Sequence, residues 1–136
     1  MAKILVTDVD GRTALDVMHP NLSTVAPTAT VAEVEAYFAE SSSRRLAAVA
    51  EGERYVGAIC RERFAASTPA PGLTARELVH DVVTVTPDAP AAVARDHALA
   101  VVSQRCPVVD ADGRLLGVVA VDKRREGFCG ADDGGL

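Results

Sequence analysis

An α+β fold of two tandem repeats, each a short sheet flanked by helices, is predicted by three features of this 136-residue chain. The first is a hydrophobic content of 49% with no Trp, two Tyr and three Phe, which calls for a packed aliphatic interior. The second is self-similarity. Sliding the sequence by 60 residues lays "STVAPTAT" on "VTVTPDAP" and "RYVGAI" on "RLLGVV", with identities that include Pro27/Pro87, Arg45/Arg105 and Gly57/Gly117. The third is that both copies run through the same order of helix starts, brief strands and apolar runs.

Upstream, one inserted residue brings "TALDVMH" over "TARELVH", so each copy opens with a short helical turn, Ala14–Met18 or Ala75–Val79. A brief strand follows at Thr24-Val25 and Thr84-Val85, ended by Pro27 or Pro87 because proline gives no N–H to a ladder. The next helix starts at the capping-box spacing Thr30/Glu33, with Val31, Val34 and Phe38 on one face. Its counterpart starts near Asp88 and Pro90, with Val93, His97 and Val101 at four-residue steps. Two apolar strands around Gly52, and two around Asp112-Gly113, close the copies. Such continuous apolar strands need cover on both faces, which two units stacked through their sheets would supply. The chain therefore divides into a lead-in (1–12), repeat 1 (13–65), a linker (66–72, "ASTPAPG"), repeat 2 (73–126) and a flexible tail (127–136).

A net charge of −5 argues against a nucleic-acid binder. No apolar run is long enough for a membrane span, and "TDVDGR" interrupts any signal-peptide pattern. The cysteines, Cys60, Cys106 and Cys129, are odd in number and lack metal-ligand spacing, which fits reduced thiols in the cytoplasm.

The second copy, "VVTVTPDAP" then "CPVVDADGRLLGVVAVD", resembles the CBS domain, the regulatory unit named after cystathionine beta-synthase. The first copy, "LAAVAEGERYVGAICRER", is a worn version of it, and the resemblance spans Thr13 to Glu126. It implies a pair of repeats forming one pseudo-two-fold module, dimerisation into a disc, and clefts that bind AMP, ATP or S-adenosylmethionine. It implies a small-molecule-sensing or regulatory protein acting on an unidentified partner, and since no Ser-His-Asp order, carboxylate dyad or Gly-rich phosphate loop occurs, no enzyme is expected. The alternative is a ligand-free interaction module with decayed sites. The resemblance also implies ligand-facing positions at Arg45, Leu46, Cys60 and Arg63 in repeat 1. In repeat 2 these are Val83, Arg105, Cys106, Pro107, Ala120 and Lys123. At four of these positions the family's pattern is broken. Cys60 and Ala120 stand where a phosphate-holding hydroxyl is usual, and Arg63 and Lys123 where a ribose-holding carboxylate is usual. Asp122 lies one residue away, and adjacent side chains of an extended segment point to opposite sides. Arg61, Arg63, Lys123, Arg124 and Arg125 would suit an anionic ligand, or form a solvated face.

"KILVTDVDGRTAL" resembles the nucleophile loop of haloacid-dehalogenase phosphatases, with Asp8 and Asp10 as the pair. The residues after Leu15 belong to the repeat instead, and "GADDGG" (130–135) lacks a preceding apolar strand, so the aspartates read as turn residues. His19 and His80 occupy equivalent places in separate repeats, which does not suit a metal pair. "AVARDHALAVV", Ala92–Val102, offers a small-residue face for an isologous homodimer.

Overall fold

The computed structural model describes residues 4–20 and 23–129. Its elements are α1 (Ala14–Val17), α2 (Val31–Ala39), β1 (Leu46–Glu51), β2 (Arg54–Cys60), α3 (Arg61–Ser67), α4 (Ala75–Leu78), α5 (Ala91–Leu99), β3 (Arg105–Val109) and β4 (Leu115–Ala120). Mixed helix and strand with two small antiparallel hairpins is the α+β class that the repeats predict. The described residues form two compact units: one is 23–82, the other joins 4–20 to 83–129.

In unit 23–82, β1 and β2 pair around a turn at Gly52, whose φ of +62° is a left-handed value that glycine tolerates. Val25 adds a parallel bridge to Val49 on the outer side of β1, and His80 adds an antiparallel bridge to Ala58 on the outer side of β2. The capping box forms as the sequence predicts. Glu33 N–H donates to Thr30 Oγ1 at 3.2 Å, and Thr30 N–H donates to Glu33 Oε1 at 3.1 Å. Below it Val31, Val34, Tyr37 and Phe38 are buried, and Phe38 meets Phe64 of α3 at 5.6 Å between ring centres. The helix α3 continues to Ser67, two residues into the expected linker.

The second unit repeats this plan with β3 and β4, a turn at Gly113 (φ +84°), and bridges from Val85 to Val108 and from His19 to Val118. In both units the edge opposite the brief strand is supplied by the segment that opens the other repeat. The N–H of Ala75 donates to Ala29 O at 2.8 Å, and that of Ala14 to Ala89 O at 2.8 Å. The opening helices are thus exchanged: α1 packs with the body of repeat 2, and α4 with the body of repeat 1.

Two features depart from the sequence reading. The buried face of α5 is Ala91, Ala94 and Ala98, while Val93 and Val101 are 42% and 40% exposed and Val102 is 56% exposed. Alanine permits close approach of a helix to a sheet, so the bulkier valines turn outward. The second departure is that repeat 2 has no helix matching α3. Asp122 Oδ1 accepts the N–H of Glu126 at 3.0 Å and Arg125 adopts φ +63°, which turns the chain back on itself. Gly127 then bridges Leu5, Phe128 bridges Val121, and Phe128 is 3% exposed. Residues 127–129, expected in a flexible tail, and lead-in residues 4–6 are therefore built into this unit; the rest of the expected tail lies outside the described residues.

Candidate functional site

The ten predicted site residues fall into two sets, one per unit. In unit 23–82 the structure brings together Arg45, Leu46, Cys60 and Arg63. Leu46 pairs with Cys60 across the hairpin, Arg61 N–H donates to Arg45 O at 2.9 Å, and Cys60 is the N-cap of α3. Arg63 is exposed on the first turn of that helix. Arg45, itself mostly covered, reaches the exposed Glu62 at 3.4 Å, a long contact of small energetic weight.

Arg61 faces inward instead of lining a ligand surface. Its Nη1 donates to the carbonyls of Phe38, Ser41 and Arg44 at 2.8, 3.1 and 2.9 Å, and its guanidinium lies 5.5 Å from the Phe38 ring centre. This cation satisfies the carbonyls where α2 ends, where the helix dipole also favours positive charge. The sequence could not distinguish this from a solvated Arg, because the carbonyls come from an element 20 residues away.

In the other unit Arg105 and Ala120 are cross-strand partners, as are Cys106 with Val119 and Pro107 with Val118. Arg105 is 5% exposed, and its Nη1 donates to the carbonyls of Ser103, Gln104 and Val121. Cys106 Sγ donates to Val83 O at 3.4 Å, and burial pushes its thiol up to about 12, so little thiolate forms at neutral pH. Ala120 is fully buried, and its carbonyl accepts the N–H of Cys129 at 2.8 Å. Lys123 and Arg124 are exposed in the turn that stands where α3 stands in repeat 1. Arg125 donates to Leu99 O at 3.1 Å, at the end of α5.

Two concavities belong to unit 23–82. A groove of about 520 Å³ runs along the outer flank of α2, lined by Thr24, Thr28, Glu33, Tyr37, Glu40 and Arg44 among others. The Arg44 guanidinium sits 4.3 Å from the Tyr37 ring centre and pairs with Glu40, so its charge is already engaged. The second is a cleft of about 210 Å³, walled by Ile59, Phe64, Leu78 and Val79, with Arg63, Ser67, Glu77 and His80 as its polar lining. Here Cys60 N–H donates to His80 Nε2 at 2.9 Å. The sequence marked His80 as the equivalent of His19 but held no sign of this bond. His19 itself is 4% exposed, and neither ring nitrogen has a hydrogen-bond partner.

Asp8 and Asp10 are exposed, and Asp8 pairs with Arg12 at 3.1 Å in a surface turn. Among the described residues, no three His, Cys, Asp or Glu gather as metal ligands, and no helix is long and apolar enough to cross a membrane.

Two copies of a strand–helix–hairpin unit, each edged by the other copy's opening segment, define a tandem-pair α+β fold. The family model for the CBS domain matches residues 14–66 and 75–122, and the chain belongs to that family. CBSX2 from Arabidopsis thaliana, a CBS-pair protein, is 22% identical, with 79% of this chain and 87% of that chain covered at a TM-score of 0.65. CBSX2 in complex with AMP gives 24% identity, 81% and 90% coverage, and a TM-score of 0.64. The CBS domains of a transcriptional regulator from Streptococcus pneumoniae give 21%, 82% and 94%, and 0.67. The cytosolic domain of the Mg2+ channel MgtE in complex with ATP gives 23%, 86% and 49%, and 0.64. No sequence among the curated proteins matches the chain.

Proposed function

We propose that this chain is a cytoplasmic, non-catalytic regulatory CBS pair whose ligand is an anion, an adenine nucleotide or a similarly charged small molecule, engaged through repeat 1. The observation that carries this reading is Arg63, exposed beside Cys60 on the first turn of a helix that repeat 2 lacks. A guanidinium there favours phosphate or carboxylate over ribose hydroxyls, which need an acceptor. The AMP complex of CBSX2 and the ATP complex of the MgtE domain support a nucleotide as the first class to test. A ligand preferring one arrangement of the repeats would shift the population toward it and so regulate a partner protein.

Calorimetry with ATP, AMP, S-adenosylmethionine and adenosine tests the reading. ATP should bind more tightly than adenosine, and Arg63→Ala should reduce ATP affinity by about tenfold or more, the loss of one charge-assisted contact. Equal binding of ATP and adenosine would overturn the role given to Arg63.

A second reading, an interaction module with decayed sites, is favoured by repeat 2. There Ala120 is buried and the return of residues 127–129 stands in place of a helix. Absence of heat with all four compounds would leave this reading. Either reading includes a homodimer, with the exposed Val93, Val101 and Val102 as its contact surface.

A further inference from the structure

The bond from Cys60 N–H to His80 Nε2, 2.9 Å long, ties the end of β2 to the segment that follows α4. On that same edge His80 N–H donates to Ala58 O at 3.2 Å, so ring and backbone hold one junction. An imidazole that accepts at Nε2 must be neutral, with its proton on Nδ1. A proton arriving at Nε2 takes the lone pair, and two N–H groups then face each other. The contact cannot survive that charge state.

The surroundings decide how readily the proton arrives. From α3, the Arg63 cation opposes an imidazolium; from the chain beside the ring, Asp81 favours one; from α4, Glu77 lines the same cleft. The Glu77 carboxylate already accepts from Thr74 N–H and Oγ1 at 3.1 and 3.0 Å. Ile59, Phe64, Leu78 and Val79 wall the cleft with apolar surface. Burial, and then Arg63, hold the imidazole below its ordinary value of 6.5, against the pull of Asp81. The other unit has no counterpart, because His19 carries no such bond.

We propose that His80 is an acid-released latch: protonation at Nε2 breaks the Cys60 contact and frees the segment after α4 from the edge of β2. The device concerns the exchanged edge of unit 23–82 and stands whether or not the cleft region binds a nucleotide. A base whose folded pKa is depressed binds more protons when unfolded, so the latch stabilises fully above pH 6.5. Its contribution is lost as pH falls from 6.5 through the lower folded value.

An NMR titration of the full chain from about pH 8 to about pH 5 tests this directly. The His80 ring should titrate below its ordinary value as the Nδ1–H tautomer, and the Cys60 amide shift should move with the same midpoint. Protection of the Cys60 and His80 amides from exchange, corrected for intrinsic rates, should fall through that midpoint. In Arg63→Gln the midpoint should rise. In His80→Gln, whose side-chain oxygen can still accept, the Cys60 amide should stop responding to pH. A His80 midpoint at or above the ordinary value, or a Cys60 amide that stays still while His80 titrates, would overturn the latch. The wild-type titration decides the matter even if the Gln variant does not fold.

Discussion

Gly57 and Gly117 show how much a single absent carbon can permit. A Cβ on Gly117 would lie 2.5 Å from the carbonyl oxygen of His19, and one on Gly57 would lie 2.8 Å from Val79 Cβ. Both obstacles belong to the exchanged edge segments, so these glycines are where the edge approaches the hairpin. The sequence exposed them as identical repeat positions but hid the reason, because each neighbour belongs to the opening segment of the other repeat. Backbone cannot yield as a flexible side chain can, so Gly117→Ala should destabilise the protein by about 3 kcal/mol in urea unfolding. At Gly72, where nothing lies within 4 Å, the same change should stay within about 0.5 kcal/mol of wild type. Asp110 carries a different kind of local effect. The Arg114 N–H, the Arg114 side chain and the Asp112 N–H all donate to its carboxylate and hold it below the usual 3.8. Its contribution is present above that value and lost as pH falls below it, so Asp110→Asn should flatten the acid limb of the unfolding curve. That window lies well below the one set by His80.

At the scale of elements, the starts of helices were the most legible feature and their faces the least. Thr30 and Glu33 announce α2 because a capping box is local chemistry, complete within four residues. Thr30→Ala should cost about 1 kcal/mol in thermal or urea unfolding. The orientation of α5 was not legible from its valines, because alanine carries little hydrophobic signal of its own yet decides how near a helix can come. The absence of a final helix in repeat 2 was written less clearly. "DKRREG" offers no apolar face, and Asp122 takes the Glu126 N–H into a turn. This asymmetry governs how far the predicted sites can be repaired. Cys60→Thr with Arg63→Asp restores a hydroxyl and a carboxylate at the start of an existing helix, worth about 2–4 kcal/mol, or tens to hundreds of fold in adenosine affinity. Ala120→Thr with Lys123→Asp should give no gain, since Ala120 is fully buried and Lys123 lies in a turn. Calorimetry with adenosine on the two double variants separates these outcomes.

At the scale of the whole molecule, the valines of α5 and its following turn bear on assembly. Val93, Val101 and Val102 are large apolar side chains at 42%, 40% and 56% exposure on one short stretch. Replacing Val93 and Val101 by Asp should convert the expected homodimer to a monomer of 14.2 kDa in sedimentation equilibrium. The monomer's own fold should persist, because the core contributions of α5 come from its alanines. A wild type that stays monomeric at every concentration would remove the dimer. The exchange of opening helices has a consequence for how this gene could be cut. A break in the stretch after Ser67 separates two halves, each holding the body of one repeat but the edge strand of the other. Neither half alone can complete a sheet: residues 23–67 lack the His80 edge, and 83–129 lack the His19 edge. Such halves should be individually unstructured by circular dichroism and regain structure when mixed, a reporter of two-part complementation that the tandem repeat supplies without further design.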